Sequence, residues 1–264
     1  MIKIHFIGTC SGTEPMPNMH HTSTVLEVNG ALYWIDAGEC CVHTAHNMGL
    51  NIMNSEAIFI SHPHIDHIGG LANLYFAIDK LIIREGRRLA KDNTLEGYFP
   101  DSEIFSMIKT VALSGRLNRS DLNFRLNEHT VCDGEILSDG RISVTAHHNN
   151  HIKGDGSNGV WHAFSYLVKT ENKRILFSGD VKAPEELDAL IGDGVDVLVM
   201  ETGHHKVADV CSYAASHNVA ALYFTHHGRE ILENRAEKEA FMKDFSARSG
   251  MNITLCHDAL TVEI

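Results

Sequence analysis

The stretch FISHPHIDHIGG, residues 59–70, places four side chains that can bind a metal within six positions. These are His62, His64, Asp66 and His67, which follow an apolar run and precede a pair of glycines. Neutral imidazole nitrogens and a carboxylate oxygen suit zinc, manganese or iron. A proline inside the stretch and the glycines after it favour a loop that wraps these groups around one centre, rather than a continuing strand. The alternative is a solvated loop that is merely rich in histidine.

Four protein ligands in one short loop exceed the number that a single catalytic metal with an open coordination position needs. The sequence therefore predicts two divalent metal ions, whose remaining ligands come from elsewhere in the chain. Zinc is the ion expected first, and this ligand set also accepts manganese, iron or nickel. Two such ions would share a water and lower its pKa toward neutrality, which would provide a metal-bridging hydroxide.

The composition and charge of the chain exclude some function classes. Its 264 residues are 44% hydrophobic and 21% charged, as in ordinary soluble globular proteins. The formal charge of −12 argues against a protein that mainly binds long nucleic acid or an anionic membrane. The first apolar run is short for a signal peptide, and the six cysteines show no Cys-x-x-Cys spacing. We expect a cytoplasmic protein with reduced thiols and no membrane partner.

Strand-like and helix-like segments alternate through most of the sequence. Apolar runs at 2–7, 23–28 and 31–36 are typical of strands, and Asn29–Gly30 between the last two predicts a two-residue hairpin. From about residue 130 the strand-rich pattern returns and then alternates with helices. We therefore predict an α/β fold of the αββα sandwich class, with two mixed β-sheets packed face to face and helices on the outer faces.

The sequence contains no Gly/Ser-rich or Pro-rich linker, which predicts a single domain over residues 1–264. A helical pattern near 101–113 is expected to begin at a cap, either Asp101 or Ser102. We interpret residues 84–129 as a helical insertion near the mouth of the predicted site.

The pattern Ser-His-x-His-x-Asp-His-x-Gly-Gly after an apolar strand resembles the signature of metallo-β-lactamase-fold hydrolases. Residues 6–39 are similar to the opening of ribonuclease Z and of the small phosphodiesterases related to it. The resemblance implies that His62 and His64 bind one metal and that Asp66 and His67 bind the other.

The same resemblance supplies the remaining ligands. The segment FSGD implies that Asp180 bridges both metals, since the two oxygens of a carboxylate can each bind one cation. The segment TH implies that His226 completes the second metal, with His227 as its competitor. In the segment SVTAHHNNHIKG, His151 is expected as the third histidine of the first metal, and His148 is the alternative.

The opening segment is implied to support the site. In the resembling proteins the aspartate that corresponds to Asp36 holds the metal-binding loop without binding metal itself; a simple turn at the end of a strand is the alternative. The loop over residues 9–22 would lie near the mouth of the site. For His20 and His21, contact with substrate and plain solvation both remain open.

The segment LVMETGHH stands at the place of the His-Glu-Ala-Thr motif of ribonuclease Z. Glu201 matches the glutamate, but Met200 occupies the position of the histidine that helps to protonate the leaving group. His204 or His205 is therefore expected as general acid, because an imidazole titrates near neutral pH; helix-capping or surface roles are the alternative. The expected catalytic residues are Asp66, Glu201 and His204.

Ribonuclease Z also has a basic, glycine-rich arm that binds its RNA, and this sequence contains none. The most basic stretch, residues 84–125, has eight Lys/Arg against six Asp/Glu. The leading hypothesis is therefore a dinuclear phosphodiesterase for small or cyclic nucleotide-like substrates, for which a homodimer is allowed. The alternatives are a ribonuclease-Z-type endoribonuclease, a hydrolase of lactones, thioesters or β-lactams, and a non-catalytic metal-binding sensor or redox protein.

Overall fold

Two seven-stranded mixed β-sheets, each with helices packed on it, make up the computed structural model, which describes residues 1–13, 16–114, 121–152 and 160–264. Contacts within the chain divide it into two compact units, and the single domain expected from the sequence stays a prediction. The first unit comprises residues 1–9, 15–131 and 258–264, and the second comprises residues 10–14 and 132–257.

The sheet of the first unit has parallel and antiparallel parts. Its strands are β1 (Ile2–Gly8), β2 (Ser23–Val28), β3 (Ala31–Ile35), β4 (Ser55–Phe59), β5 (Thr94–Phe99), β6 (Arg125–Thr130) and β14 (Leu260–Glu263), in the spatial order β14-β1-β2-β3-β4-β5-β6. The pairs from β14 to β3 are antiparallel and those from β3 to β6 are parallel. Asn29 and Gly30 join β2 to β3 with φ values of 51° and 84°, which confirms the predicted hairpin.

Helices cover one face of this sheet. They are α1 (Cys41–Asn47), α2 (Ile65–Ile68), α3 (Leu71–Glu85) and α4 (Ser102–Ala112). In α3 the apolar residues Leu71, Leu74 and Ile78 recur at helical spacing, and they pack with Trp34 of β3 in one core. Helix α4 begins after Asp101, one of the two predicted caps. The Asp101 carboxylate accepts hydrogen bonds from the backbone N–H groups of Glu103 and Ile104.

The second unit repeats this two-layer construction. Its strands are β7 (Gly134–Ser138), β8 (Ser143–His148), β9 (Phe164–Lys169), β10 (Arg174–Phe177), β11 (Val195–Thr202), β12 (Val219–His227) and β13 (Asn252–Leu255), in the order β13-β12-β11-β10-β9-β8-β7. Its helices are α5 (Asp188–Ile191), α6 (Val207–Ser216) and α7 (Arg229–Ser249). Leu198 and Met200 of β11 pack with Val210 of α6 in the core between sheet and helices.

The segment 84–129 differs from the predicted helical insertion. Helix α4 lies within it, but so do β5 and most of β6, which continue the sheet from β4. The strand TLEGYF of β5 is short and contains a glycine and a glutamate, so its composition gave no strand signal. Residues 115–120 of this segment lie outside the described residues. Among the described helices, none is long and apolar enough to cross a membrane.

The core between α3 and the first sheet yields a stability prediction. Leu74 is fully buried, so Leu74→Ala should lower the free energy of unfolding by about 2–5 kcal/mol through lost burial and a residual cavity. Met107 on α4 is 61% exposed, so Met107→Ala should change the free energy by less than about 0.5 kcal/mol. Urea unfolding of both variants measures the difference, and equal midpoints would contradict the assigned core.

Candidate metal centre

The chain after β4 forms the first cluster of candidate ligands, which lies in the first unit. His62 and His64 lie in an extended segment, and Asp66 and His67 lie on the short helix α2, for which His64 is the N-cap. His62 Nε2 is 2.9 Å from His64 Nδ1, and His67 Nε2 is 3.5 Å from Asp66 Oδ2. The rings of His62 and His67 are 3.9 Å apart between centroids. The four residues therefore gather in one place, as the sequence predicted, through one extended step and one helical turn.

The carboxylate of Asp36 stabilises this loop through hydrogen bonds. It accepts hydrogen bonds from Ser61 N at 2.7 Å, from Ser61 Oγ at 2.8 Å and from His67 Nδ1 at 2.7 Å. Because a carboxylate only accepts, His67 donates through Nδ1, and its lone pair is on Nε2. Asp36 is buried and its φ of 60° lies in the left-handed region, where β3 ends. The supporting contacts expected for Asp36 are present.

Ser61 is a functional residue that the sequence analysis did not single out. Its hydroxyl donates to Asp36, and it lies 3.0 Å from His62 Nδ1, so it can accept that N–H. His62 then also has its lone pair on Nε2, on the same ring position as His67. The signal was present, since Ser61 is the first residue of the Ser-His-x-His motif.

Gly38 allows its own backbone to pack closely against the backbone of Asp66 and of His21. A Cβ on Gly38 would lie 2.6 Å from the carbonyl oxygen of Asp66 and 2.7 Å from that of His21. The backbone N–H of His20 donates to Asp258 Oδ2 at 2.6 Å, which ties the same loop to the segment before β14. The loop that carries His20 and His21 is thus fixed by its backbone, while substrate contact by their side chains stays a prediction.

Asp180 organises the second cluster of candidate ligands, which lies in the second unit. It follows β10 and is 3% exposed, and three imidazole nitrogens surround its Oδ2 atom. His226 Nε2 is 3.4 Å away, His151 Nε2 is 3.6 Å away and His204 Nδ1 is 3.8 Å away. Ligand atoms at about 2.1 Å from one tetrahedral ion lie about 3.4 Å from each other. The distances to His226 and His151 exceed those of hydrogen bonds and suit a shared divalent cation, so these donors fit the predicted metal chemistry.

A β-bulge decides which of the adjacent histidines faces Asp180. Glu201 pairs with Thr225 and Thr202 pairs with His227, so His226 is an extra residue in β12, with a φ of 51°. A Cβ on Gly203 would lie 2.7 Å from His226 Nδ1, so only a glycine leaves room for this ring.

His227 is directed away from the cluster. It is fully buried, with Nε2 2.9 Å from the carbonyl oxygen of Cys256 and Nδ1 3.0 Å from Thr202 Oγ1. Burial lowers the pKa of His227 to about 4, so the ring is neutral at physiological pH. Both nitrogens serve the packing of neighbouring strands, which leaves none for a metal.

His148 likewise has other partners. Its backbone N–H and its Nδ1 bond to the carboxylate of Asp133 at 2.7 and 2.6 Å, and its ring stacks on Trp161 at 3.8 Å between centroids. His147 Nδ1 is 3.6 Å from the same carboxylate. Of the histidines in this segment, His151 is the one beside Asp180.

Glu201 and His204 form a carboxylate–imidazole pair next to Asp180. His204 donates to Glu201 from Nδ1 at 3.0 Å and from its backbone N–H at 2.9 Å. Burial alone would raise the pKa of Glu201, but the imidazoles of His204 and His226 outweigh it and lower the pKa to about 2. The hydrogen bond to Glu201 in turn raises the pKa of His204, whose side chain is 44% exposed. His204 is therefore anchored to Glu201, exposed to solvent and more basic than an imidazole without such a partner.

The neighbouring candidates for this role lie differently. His205 Nε2 is 2.9 Å from the carbonyl oxygen of Val181 and its side chain is 11% exposed, so its contacts are structural. Met200 packs in the helix-facing core, because successive residues of β11 point to opposite faces of the sheet. Position 200 thus faces away from Glu201, and the turn after β11 brings His204 to this carboxylate.

Comparison with known proteins identifies the family. The profile described as anti-Pycsar protein Apyc1 matches residues 2–248. Ribonuclease Z of Shouchella clausii (strain KSM-K16) is 23% identical, and the match covers 100% of this chain and 97% of that protein. The resemblance to the ribonuclease-Z-like branch is therefore confirmed.

Solved structures agree on the fold. The metallo-β-lactamase-fold protein YhfI from Bacillus subtilis has a TM-score of 0.73 at 14% identity, over 99% of this chain and 98% of that one. The short form of human tRNase Z has a TM-score of 0.71 at 19% identity, over 99% of both chains. The chain has the metallo-β-lactamase fold and belongs to the family of the anti-Pycsar protein Apyc1.

Proposed function

We propose that this metallo-β-lactamase-fold hydrolase is a dinuclear phosphodiesterase that acts on small or cyclic nucleotide-like substrates. The observation that carries the proposal is the Asp180 carboxylate with His226 Nε2 at 3.4 Å and His151 Nε2 at 3.6 Å. Zinc is the ion we expect, with manganese or iron as alternatives. The proposed ligands are His62, His64 and His151 for one ion, Asp66, His67 and His226 for the other, and Asp180 for both.

Several side chains have separate tasks in the proposed reaction. When bound, the two cations supply a nucleophilic water at neutral pH and neutralise charge on the phosphoryl oxygens. Asp36 orients His67 through Nδ1, and Glu201 orients His204 in the same way. The protonated His204 then donates from Nε2 to the oxygen of the leaving group. This assignment gives His204 the role of the histidine that Met200 replaces.

A small substrate is favoured over a long RNA by the charge of the chain. The formal charge is −12, and an RNA clamp needs several clustered cations. Two cations of the most basic stretch have acidic neighbours: Arg87 is 3.6 Å from Glu85, and Lys109 is 2.9 Å from Asp121. Endoribonuclease activity is the second candidate, because curated relatives along the whole chain are named ribonuclease Z. It predicts specific cleavage of precursor transfer RNA.

The first prediction concerns turnover. The zinc- or manganese-loaded protein should hydrolyse bis(p-nitrophenyl) phosphate, and His64→Ala should reduce kcat/KM by at least about a hundredfold through loss of a metal ligand. His43→Ala removes an exposed histidine of α1 and should leave the rate unchanged. Equal turnover by the wild type and His64→Ala would sink the proposal.

A comparison of two substrates with different leaving groups tests the role of His204 as general acid. An alkoxide leaving group needs a proton, whereas p-nitrophenolate does not. His204→Ala should therefore lower kcat by a factor of about 10²–10⁴ for a nucleoside cyclic phosphate and by much less for bis(p-nitrophenyl) phosphate. A loss of the same size on both substrates would remove His204 from the role of general acid.

Asp36 should act through metal affinity. Asp36→Asn replaces the carboxylate that polarises His67, and we expect an affinity for zinc that is about 10–100-fold weaker. Competition with a chromogenic chelator measures this, and circular dichroism checks that the variant is folded. Asp209→Asn, at an exposed site in the first turn of α6, is the control. An unchanged affinity in Asp36→Asn would contradict the assigned support.

A further inference from the structure

We propose that the imidazole of His129 is a stacking surface for the heteroaromatic base of a nucleotide substrate. The inference rests on the proposed function and deepens it, because it says which part of the substrate is recognised besides the phosphate. It arises from a row of aromatic rings in the first unit that neither the metal ligands nor the proton donor uses.

The row crosses three neighbouring strands. Phe59 of β4 is the register partner of Tyr98 of β5, and Tyr98 is the partner of His129 of β6. The rings of Phe59 and Tyr98 stack at 4.9 Å and 16°, and those of Tyr98 and His129 at 4.7 Å and 17°. These spacings match the distance of about 4.8 Å between paired strands. The stack therefore follows from the sheet itself.

The row is buried at one end and open at the other. Phe59 is fully buried and Tyr98 is 5% exposed, whereas the side chain of His129 is 45% exposed. In the described part of the chain, β6 is the last strand of its sheet. No described strand pairs with the outer edge of β6, and the exposed part of the His129 ring offers a surface on which one more flat ring can extend the stack.

The orientation of His129 is fixed by a polar contact. Its Nε2 is 2.8 Å from Glu96 Oε2, and Asn127 Nδ2 donates to Glu96 Oε1 at 3.1 Å. The side chain of Glu96 is 13% exposed, and Lys91 Nζ lies 3.7 Å from Glu96 Oε1. A ring held in place before binding loses less conformational entropy when a ligand stacks on it.

The row lies near the metal-binding motif of the same unit. Ile60 N donates to the carbonyl oxygen of Tyr98 at 3.0 Å, and His62 follows two residues later. Strands β4, β5 and β6 are parallel, so the motif that follows β4 and His129 near the end of β6 lie at the same edge of the sheet. A nucleotide bound there can place its phosphate at the motif and its base at the row.

A nucleobase is the occupant that fits these observations. Every base has a flat π-face, and removal of an aromatic stacking partner typically weakens binding by about five- to a hundredfold. Purines present the larger face, so adenosine 3′,5′-cyclic phosphate is the most sensitive probe. The matched probe is 1-deoxyribose 3′,5′-cyclic phosphate, which carries the same cyclic phosphodiester without a base.

The test compares both probes on the metal-loaded protein. The wild type should prefer the base-bearing probe, measured as the ratio of the two kcat/KM values and as the ratio of the two Kd values from calorimetry. His129→Ala should reduce this preference about tenfold, chiefly through the KM of the adenosine compound, and His129→Phe should restore it. His43→Ala should leave both ratios as in the wild type. A loss of folded protein lowers the measured rates for both probes alike, so it cancels in the ratio of the two kcat/KM values.

Each other outcome overturns one specific statement. If the preference of His129→Ala equals that of the wild type, or if the wild type binds both probes equally, the stacking role of His129 is wrong. Preferential binding of the adenosine probe without turnover of either probe overturns the phosphodiesterase but supports the stacking surface. If His129→Ala changes the oligomeric state on gel filtration and leaves the preference intact, the ring serves a contact between copies instead.

Discussion

The buried carboxylate of Asp36 is the constraint on which the first cluster of candidate ligands, His62 to His67, depends. It accepts from the backbone and hydroxyl of Ser61 and from His67 Nδ1, and so links the end of β3 to the loop after β4. An ionised carboxylate is costly to bury unless donors surround it. The three donors remove that cost only when the loop is in place. The same contacts that stabilise the loop therefore also select the ring nitrogen that presents its lone pair.

The second unit uses the same principle with a different carboxylate. Glu201 is almost fully buried, and the imidazoles of His204 and His226 keep it ionised despite its burial. Glu201 thus orients His204 next to Asp180 through the hydrogen bond from Nδ1. In both units, a carboxylate that is not itself a predicted metal ligand determines how the ring nitrogens of predicted functional residues are directed. This explains why polar side chains are concentrated where buried strands end.

The elements that could be read from the sequence are those with a strong local pattern. The hairpin at Asn29–Gly30, the cap at Asp101 and the apolar strand β4 follow from turn chemistry, side-chain capping and hydrophobic runs. Strands β5 and β6 were missed, since TLEGYF and RLNEHT are short, polar and without clear alternation. Their strand geometry comes from pairing with β4 and with each other, which is a tertiary effect on sequences of weak intrinsic preference.

The sequence by itself determined which ligand types stand at which spacing in FISHPHIDHIGG, because these are local properties of the chain. The resemblance of its motifs also predicted the metallo-β-lactamase fold and the ribonuclease-Z-like branch, and the comparisons confirm both. Only the tertiary structure decided between neighbouring histidines. The bulge at His226 and the bond from His227 to Cys256 depend on strands that are distant in sequence, and the contact of His204 with Glu201 depends on the turn after β11. Adjacent residues of a strand point to opposite faces, so one residue of register separates a group beside Asp180 from one buried in the core.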